Sequence, residues 1–215
     1  MSGRRARNAR GEGAALRGEI LQATSDLLAE TPDPGAVSIR AVARRAGIAP
    51  TSVYLHFPDR EAMLAAAVDE AFARLAATIR AAVSGCHGDA RACLEAGTAA
   101  YLAFAAANPS HYRTAFGGVP VEPDSTSGME AFAILVEGVR RCIADGLAPP
   151  DDAFRVATNV WVALHGLATL RASHPGFPWP DPTAQLHELL ERLVGLARAL
   201  PPPGEATAGR GGESG

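Results

Sequence analysis

Between residues 38 and 60 the sequence gathers hydroxyl, guanidinium, phenol and imidazole groups at short intervals: Ser38, Arg40, Arg44, Arg45, Thr51, Ser52, Tyr54, His56 and Arg60. All of them can donate hydrogen bonds, and the arginines add a fixed, positively charged fork. Phosphate oxygens and the acceptor edges of guanine suit such a set. A second gathering lies further along: Tyr101, Phe104, Tyr112, Phe116, Met129, Phe132, Trp161 and His165. It is apolar and aromatic, with one imidazole. It can wall a pocket for a small apolar molecule, and the same residues at helical spacing equally suit a packed core.

The elements around the first gathering are short and sharply punctuated. Ser38 is a good N-cap for a helix over residues 39–46, with Ile39, Val42, Ala43 and Ala46 inward. Gly47 supplies the left-handed residue that a tight turn needs, and Ala43 is small enough for two helices to approach. Ile48 and Val53 join Val42 as a shared plug. Pro50 opens a helix over residues 50–56, which leaves Thr51, Ser52 and Leu55 outward and Tyr54 and His56 toward its end. Phe57-Pro58 stops that helix, and Asp59 caps a long one over 60–83. This is the layout of a helix-turn-helix, whose second helix enters the DNA major groove.

Before it, Leu16, Ile20, Ala23 and Leu27 place a helix over 14–30, closed by the turn TPDPG at 31–35. After it, helices are expected over 90–107, 109–116, 128–145, 151–172 and 182–200, with no strand pattern and no repeat. The expected fold is all-α. It divides into a basic arm (1–13), a three-helix head (14–59), a helical body for ligand binding and dimerisation (60–200) and a Pro/Gly-rich tail (201–215).

The chain of 215 residues carries a formal charge of −3 and contains no lysine. Its charge is split. Residues 1–60 hold nine arginines against six acids, while the remainder holds eleven against seventeen. A basic first quarter on an acidic body suits a reader of polyanions, and Arg4, Arg5, Arg7 and Arg10 of the arm suit either entry into an adjacent minor groove or sequence-independent attraction for a phosphate backbone. Three cysteines, Cys86, Cys93 and Cys142, are too few and too irregular for a disulfide framework, and no set has zinc spacing. No apolar run reaches the roughly 20 residues that span a bilayer, and no apolar segment follows the N-terminal arginines. A reduced, cytoplasmic protein without metal or cofactor is expected. No nucleophile-elbow, HExxH or Walker string supports an enzyme.

The strings SIRAVARRAGI at 38–48 and VYLHFPDREAML at 53–64 resemble the DNA-binding head of the TetR family of transcriptional repressors, over roughly residues 14–64. The resemblance implies a homodimer on a palindromic operator of double-stranded DNA, released when a small molecule enters the body. It implies phosphate contacts for Tyr54 and His56, or close support of them. Arg60 falls at a backbone-contact position, Ser38 at a cap that also touches phosphate, and Pro50, Thr51, Ser52 and Leu55 at base-facing positions. Arg40 and Arg44 read as phosphate steering or as a solvated face. One departure is Ala49, where many members carry a Ser or Thr cap. The strings NPSHYRTAFG at 108–117 and WVALHGLATL at 161–170 resemble the Trp-His-Gly subclass of C-terminal domains in that family.

The last two helices carry broad apolar stripes: Leu164, Leu167 and Ala168 on one, Leu186, Leu189, Leu190 and Leu193 on the other. By the resemblance, two such helices from each subunit form a four-helix dimer interface. The competing reading is a helical sensor whose head no longer binds DNA and works through protein contacts.

Overall fold

In the computed structural model the described residues are 12–31, 33–119 and 126–196, and they form nine α-helices and one 3-10 turn. The arm and tail expected at the two ends fall mainly outside them. The helices are α1 (Glu12–Glu30), α2 (Ile39–Ala46), α3 (Pro50–Tyr54), α4 (Arg60–Ser84), α5 (Ala90–Ala107), α6 (Pro109–Phe116), α7 (Thr126–Ala144), α8 (Ala153–Ser173) and α9 (Pro182–Val194), with the 3-10 turn Pro34–Ala36 between α1 and α2.

Local chemistry sets most boundaries. Ser38, Asp59, Asp89, Asp152 and Asp181 each accept a hydrogen bond from a backbone N–H of the first turn that follows, satisfying donors the helix cannot. Proline opens α3, α6 and α9. Two glycines close helices in the left-handed conformation, Gly47 at φ 68° and Gly195 at φ 75°. The second corrects the sequence reading: α9 stops at Val194, not near residue 200, because Gly195 turns the chain there.

Two buried clusters organise the chain. The first joins Ile20, Leu28, Val42, Val53 and Phe57 to Met63, Leu64 and Val68. The second holds Leu75, Ile79, Leu94, Tyr101, Val139, Val160, Leu164 and Leu190. The first turns of α4 therefore sit in the head core and its later turns in the body core. The expected division at residue 60 falls at the start of a helix that both clusters share. Behind it, α6 packs against α1, α4 and α5, and the Thr114 hydroxyl meets the Ser25 carbonyl at 3.5 Å. Arg91 ties α5 to α9 through Glu191 at 3.2 Å. Arg171 fixes the α8–α9 connection through the Pro180 carbonyl and Gln185, with its guanidinium 5.2 Å from the Trp179 ring.

Candidate nucleic-acid interface and effector cavity

In the head, the Ser38 hydroxyl accepts from the Ala41 N–H at 3.2 Å. Gly47 turns the chain so that the Ile48 N–H returns to the Ala43 carbonyl at 2.9 Å. Val42 and Val53 are fully buried between α2 and α3 and Phe57 nearly so, with Ile48 packed at the edge. With its inner side held this way, α3 presents Pro50, Thr51, Tyr54 and Leu55 to solvent. Leu55 is 81% and Tyr54 56% exposed. Ser52 and His56 are half-buried beside them, and Ser38, Arg40 and Arg44 stand exposed on α2 and at its start. No side-chain cap serves the first turn of α3, because Ala49 has nothing to offer.

Three arginines of the head have internal work. Arg45 pairs with Glu30 at 2.6 Å, which ties α2 to the end of α1, and that hydrogen bond holds the Glu30 carboxyl below its ordinary range. Arg17 stands over the Phe57 ring at 5.2 Å, a contact the sequence did not suggest. Arg60 reaches back across the head. Its Nε–H donates to the Val37 carbonyl at 2.6 Å, and its guanidinium also donates to the Pro34 carbonyl and to Glu61. The resemblance assigns Arg60 to the DNA backbone; here its side chain clamps the α1–α2 connection to the start of α4.

A cavity of about 940 Å³ lies between α4, α5, α7 and α8. Of the eight residues expected around a ligand, Tyr101, Phe116, Met129, Phe132 and Trp161 line it. Phe72 and Phe154 complete an aromatic wall: Phe72 meets Phe116 edge-on at 5.2 Å, and Phe132 meets Phe154 at 5.2 Å and Trp161 at 5.9 Å. Phe104 is a correction. It lines neither cavity described here and is buried in the body core, because its turn of α5 faces inward.

Tyr112 and His165 line a second cavity of about 360 Å³, where α6 and α8 face Leu28, Thr31 and Pro34 of the head. Phe116 borders both cavities, 4.8 Å from the His165 ring and 4.9 Å from that of Tyr112. A chain of hydrogen bonds follows the same wall. The Tyr101 and Tyr112 hydroxyls are 2.8 Å apart, and the Tyr112 hydroxyl is 2.8 Å from His165 Nδ1. Burial pushes both phenols up and His165 down, so all three are held uncharged.

The expected dimer surface also needs correction. Leu164, Leu167, Leu186 and Leu190 are buried inside the single chain, where α8 and α9 pack on each other and on α5. They hold the body together and are not free for a partner. Ala168, Leu189 and Leu193 are half-buried against the same core. Of the large apolar residues that α8 leaves exposed, Phe154 and Trp161 also border the large cavity, whereas Val162 and Leu170 do not, and Phe177 is exposed on the following loop.

The cysteines depart from expectation as well. Cys86 and Cys93 form a disulfide across the α4–α5 corner, their Cα atoms 5.4 Å apart. A spacing of seven carries no disulfide signal in a sequence; it is the helical corner that brings the two together. Cys142 is a free, buried thiol pushed up to about 11 by its apolar surroundings.

A helix-turn-helix head on a hollow helical body defines a class, the all-helical one-component regulators. Two family models match in that order: bacterial regulatory proteins of the tetR family over residues 20–67, and the tetracyclin repressor-like C-terminal domain over 94–196. The chain belongs to the TetR family of transcriptional regulators. Among solved structures it is similar to a protein of unknown function from Rhodococcus sp. RHA1, at 30% identity over 85% of this chain and 96% of that one, with a TM-score of 0.71. A TetR family transcription regulator from Marinobacter aquaeolei VT8 shares 19% identity over 87% and 97% of the two chains, TM-score 0.72. The fatty acid degradation regulator FadR from Bacillus halodurans shares 16% over 88% and 97%, TM-score 0.67. No curated protein matches the chain.

Proposed function

We propose that this protein is a repressor that binds a palindromic operator as a homodimer and leaves it when a neutral apolar or aromatic molecule fills the large cavity. The observation that carries this reading is α4, one helix whose first turns belong to the head core and whose later turns wall the cavity. A ligand that fits only one arrangement of the body then biases the position of the head. Helix α6 offers a second route, with Phe116 on the cavity and Thr114 against Ser25 of α1.

On DNA, Pro50, Thr51, Ser52 and Leu55 meet base edges, while Tyr54, His56, Ser38, Arg40 and Arg44 meet phosphates. The partner copy docks on the outward side of α8 and α9, around Val162 and Leu170, with Leu189 and Leu193 at the margin. The string Trp161 to Gly166 borders the large cavity through Trp161 and the small one through His165, which fits the Trp-His-Gly subclass. The protein acts in the cytoplasm, where its operator is.

The test is fluorescence anisotropy of a labelled duplex from upstream of the protein's own gene, with and without candidate apolar compounds. The reading expects tight, salt-dependent binding that a cavity ligand weakens. Binding no tighter than to random duplex refutes the DNA role; ligands that bind the body yet leave operator affinity unchanged refute the switch.

A further inference from the structure

The two sulfurs of the Cys86–Cys93 disulfide are unequally placed. Cys86 is half-buried on the α4–α5 corner, followed by the exposed His87, Gly88 and Asp89. Cys93 is 6% exposed and lines the large cavity, as do Val83, Ser84 and Ala90 of the same corner. A thiolate arriving from solvent therefore reaches the sulfur of Cys86 and expels that of Cys93. The corner accommodates the reduced form as well. Cys93 Sγ lies 3.7 Å from the Gly88 carbonyl oxygen and 3.9 Å from that of Cys86. A disulfide gives these acceptors no hydrogen, and a thiol gives them one. Cys142 is fully buried, with its thiol pushed up to about 11, and is inert beside them.

A structural staple has little to do at this corner. A sequence separation of seven closes a short ring, which restrains the unfolded chain less than a long one does. Packing already holds the two helices: a Cβ on Gly97 of α5 would stand 3.0 Å from Val83 and 3.6 Å from Ile79 of α4. The compartment argues the same way. Cytoplasmic thiols keep ordinary cysteines reduced, and the disulfides that form among them are transient ones that serve catalysis or sensing.

We infer that Cys86 and Cys93 form a reversible thiol–disulfide exchange site, open to low-molecular-weight disulfides and thiols at Cys86, whose redox state sets the ligand affinity of the large cavity. The inference rests on the reading of the protein as a cytoplasmic regulator with its effector in this cavity. In oxidation the Cys86 thiolate attacks a small disulfide, breaks its S–S bond and releases one small thiolate. The Cys93 thiolate then attacks the Cys86 sulfur of the mixed disulfide and releases the second. The two protons lost by the cysteines go to the two small thiols, and two electrons pass from the protein to the small disulfide. Reduction retraces these steps. The disulfide ties the end of α4 to the first turn of α5, and so holds that end of the cavity closed. Reduction lets the corner spread and weakens the hold on a ligand. By reciprocity, a bound ligand makes the disulfide harder to reduce.

The test equilibrates the full chain in buffers that run from a large excess of reduced glutathione to equal amounts of the reduced and oxidised forms. Acid quenching, alkylation and intact-mass measurement then count the thiols. The pair is expected to pass reversibly from dithiol to disulfide across this range. Cys93→Ser should stop at one glutathione on Cys86, and Cys86→Ser should take up none. A pair that stays a disulfide in excess reduced glutathione, or never forms one, overturns the exchange site. The fluorescent neutral probe N-phenyl-1-naphthylamine reads the cavity. It should bind the disulfide form at least about fivefold tighter than the dithiol form, the lower end of ordinary coupling between sites, and bind Cys86→Ser equally in every buffer. Equal affinity for the two forms of the unaltered protein overturns the coupling and leaves the exchange site standing. A probe that binds neither form overturns the reading of the cavity itself, and the coupling with it.

Discussion

At Arg60 a charge that sequence comparison assigns to DNA is turned inward, and the distinction is measurable. A phosphate contact contributes about one unit to the slope of log affinity against log salt. Arg60→Ala is expected to weaken operator binding by loosening the hold on Pro34 and Val37 while leaving that slope unchanged, whereas Arg40→Ala lowers it. Ala49 makes the opposite kind of case, an interaction left out. Ala49→Ser supplies the missing cap of α3 and should raise unfolding stability by about 1 kcal/mol in a denaturant titration. His111 shows what burial does to a titrating group. It lies buried on α6, and desolvation lowers its pKa from 6.5, with Arg74 acting in the same direction and Asp26 and Glu70 against it. The unfolded chain therefore takes up a proton at a higher pH than the folded one. This contribution to stability is full above about pH 6.5 and is lost as the pH falls through the lower folded value. His165 acts with the same sign, through burial alone. His111→Gln should flatten the loss of stability between pH 7 and 5, followed by urea denaturation.

At the scale of elements, the turn between α2 and α3 depends on backbone freedom alone. A Cβ at Gly47 meets nothing within 4 Å, yet φ stands at 68°. Gly47→Ala is therefore expected to cost about 1 kcal/mol, from conformation and not from collision. Thermal unfolding measures it. Gly97 is the contrasting case. A Cβ there lies 3.0 Å from Val83 Cγ2, where α4 and α5 pack closely. Elements like these were legible because their causes are local. Ser38, Gly47 and Asp59 announce a start, a turn and a start within a few residues, and the interval from Val42 to Val53 fixes which sides face each other. The end of α9 was misjudged because the apolar stripe carries on past Gly195, and a stripe does not show where a glycine will turn the backbone.

For the molecule as a whole, the order of head and body could be read from the charge split and the helix-turn-helix spacing. The allocation of apolar faces could not. A stripe such as Leu186, Leu190 and Val194 states that something must cover it. It does not state whether α5 and α8 of the same chain or a second chain does so, and here the same chain does. For the same reason the eight residues expected around a ligand divided unpredictably: five line the large cavity, Tyr112 and His165 line the small one together with Phe116, which borders both, and Phe104 lies in the core. Contacts made across the sequence, Arg60 to Pro34 and Cys86 to Cys93, leave no periodic trace at all.

The outward row of Val162, Leu170 and Phe177 is short, and the larger leucines beside it are spent inside each protomer. If this row carries the pairing of two protomers, the assembly follows mass action at ordinary protein levels. Below the dissociation constant of the pair, the amount of operator-competent protein rises with the square of the total concentration. A twofold change in expression then becomes about a fourfold change in the paired species, and any response that needs the pair acquires a threshold. Replacing Val162 with Glu should move that threshold to higher concentration without altering α3, as read by sedimentation together with operator titration over a range of protein concentrations.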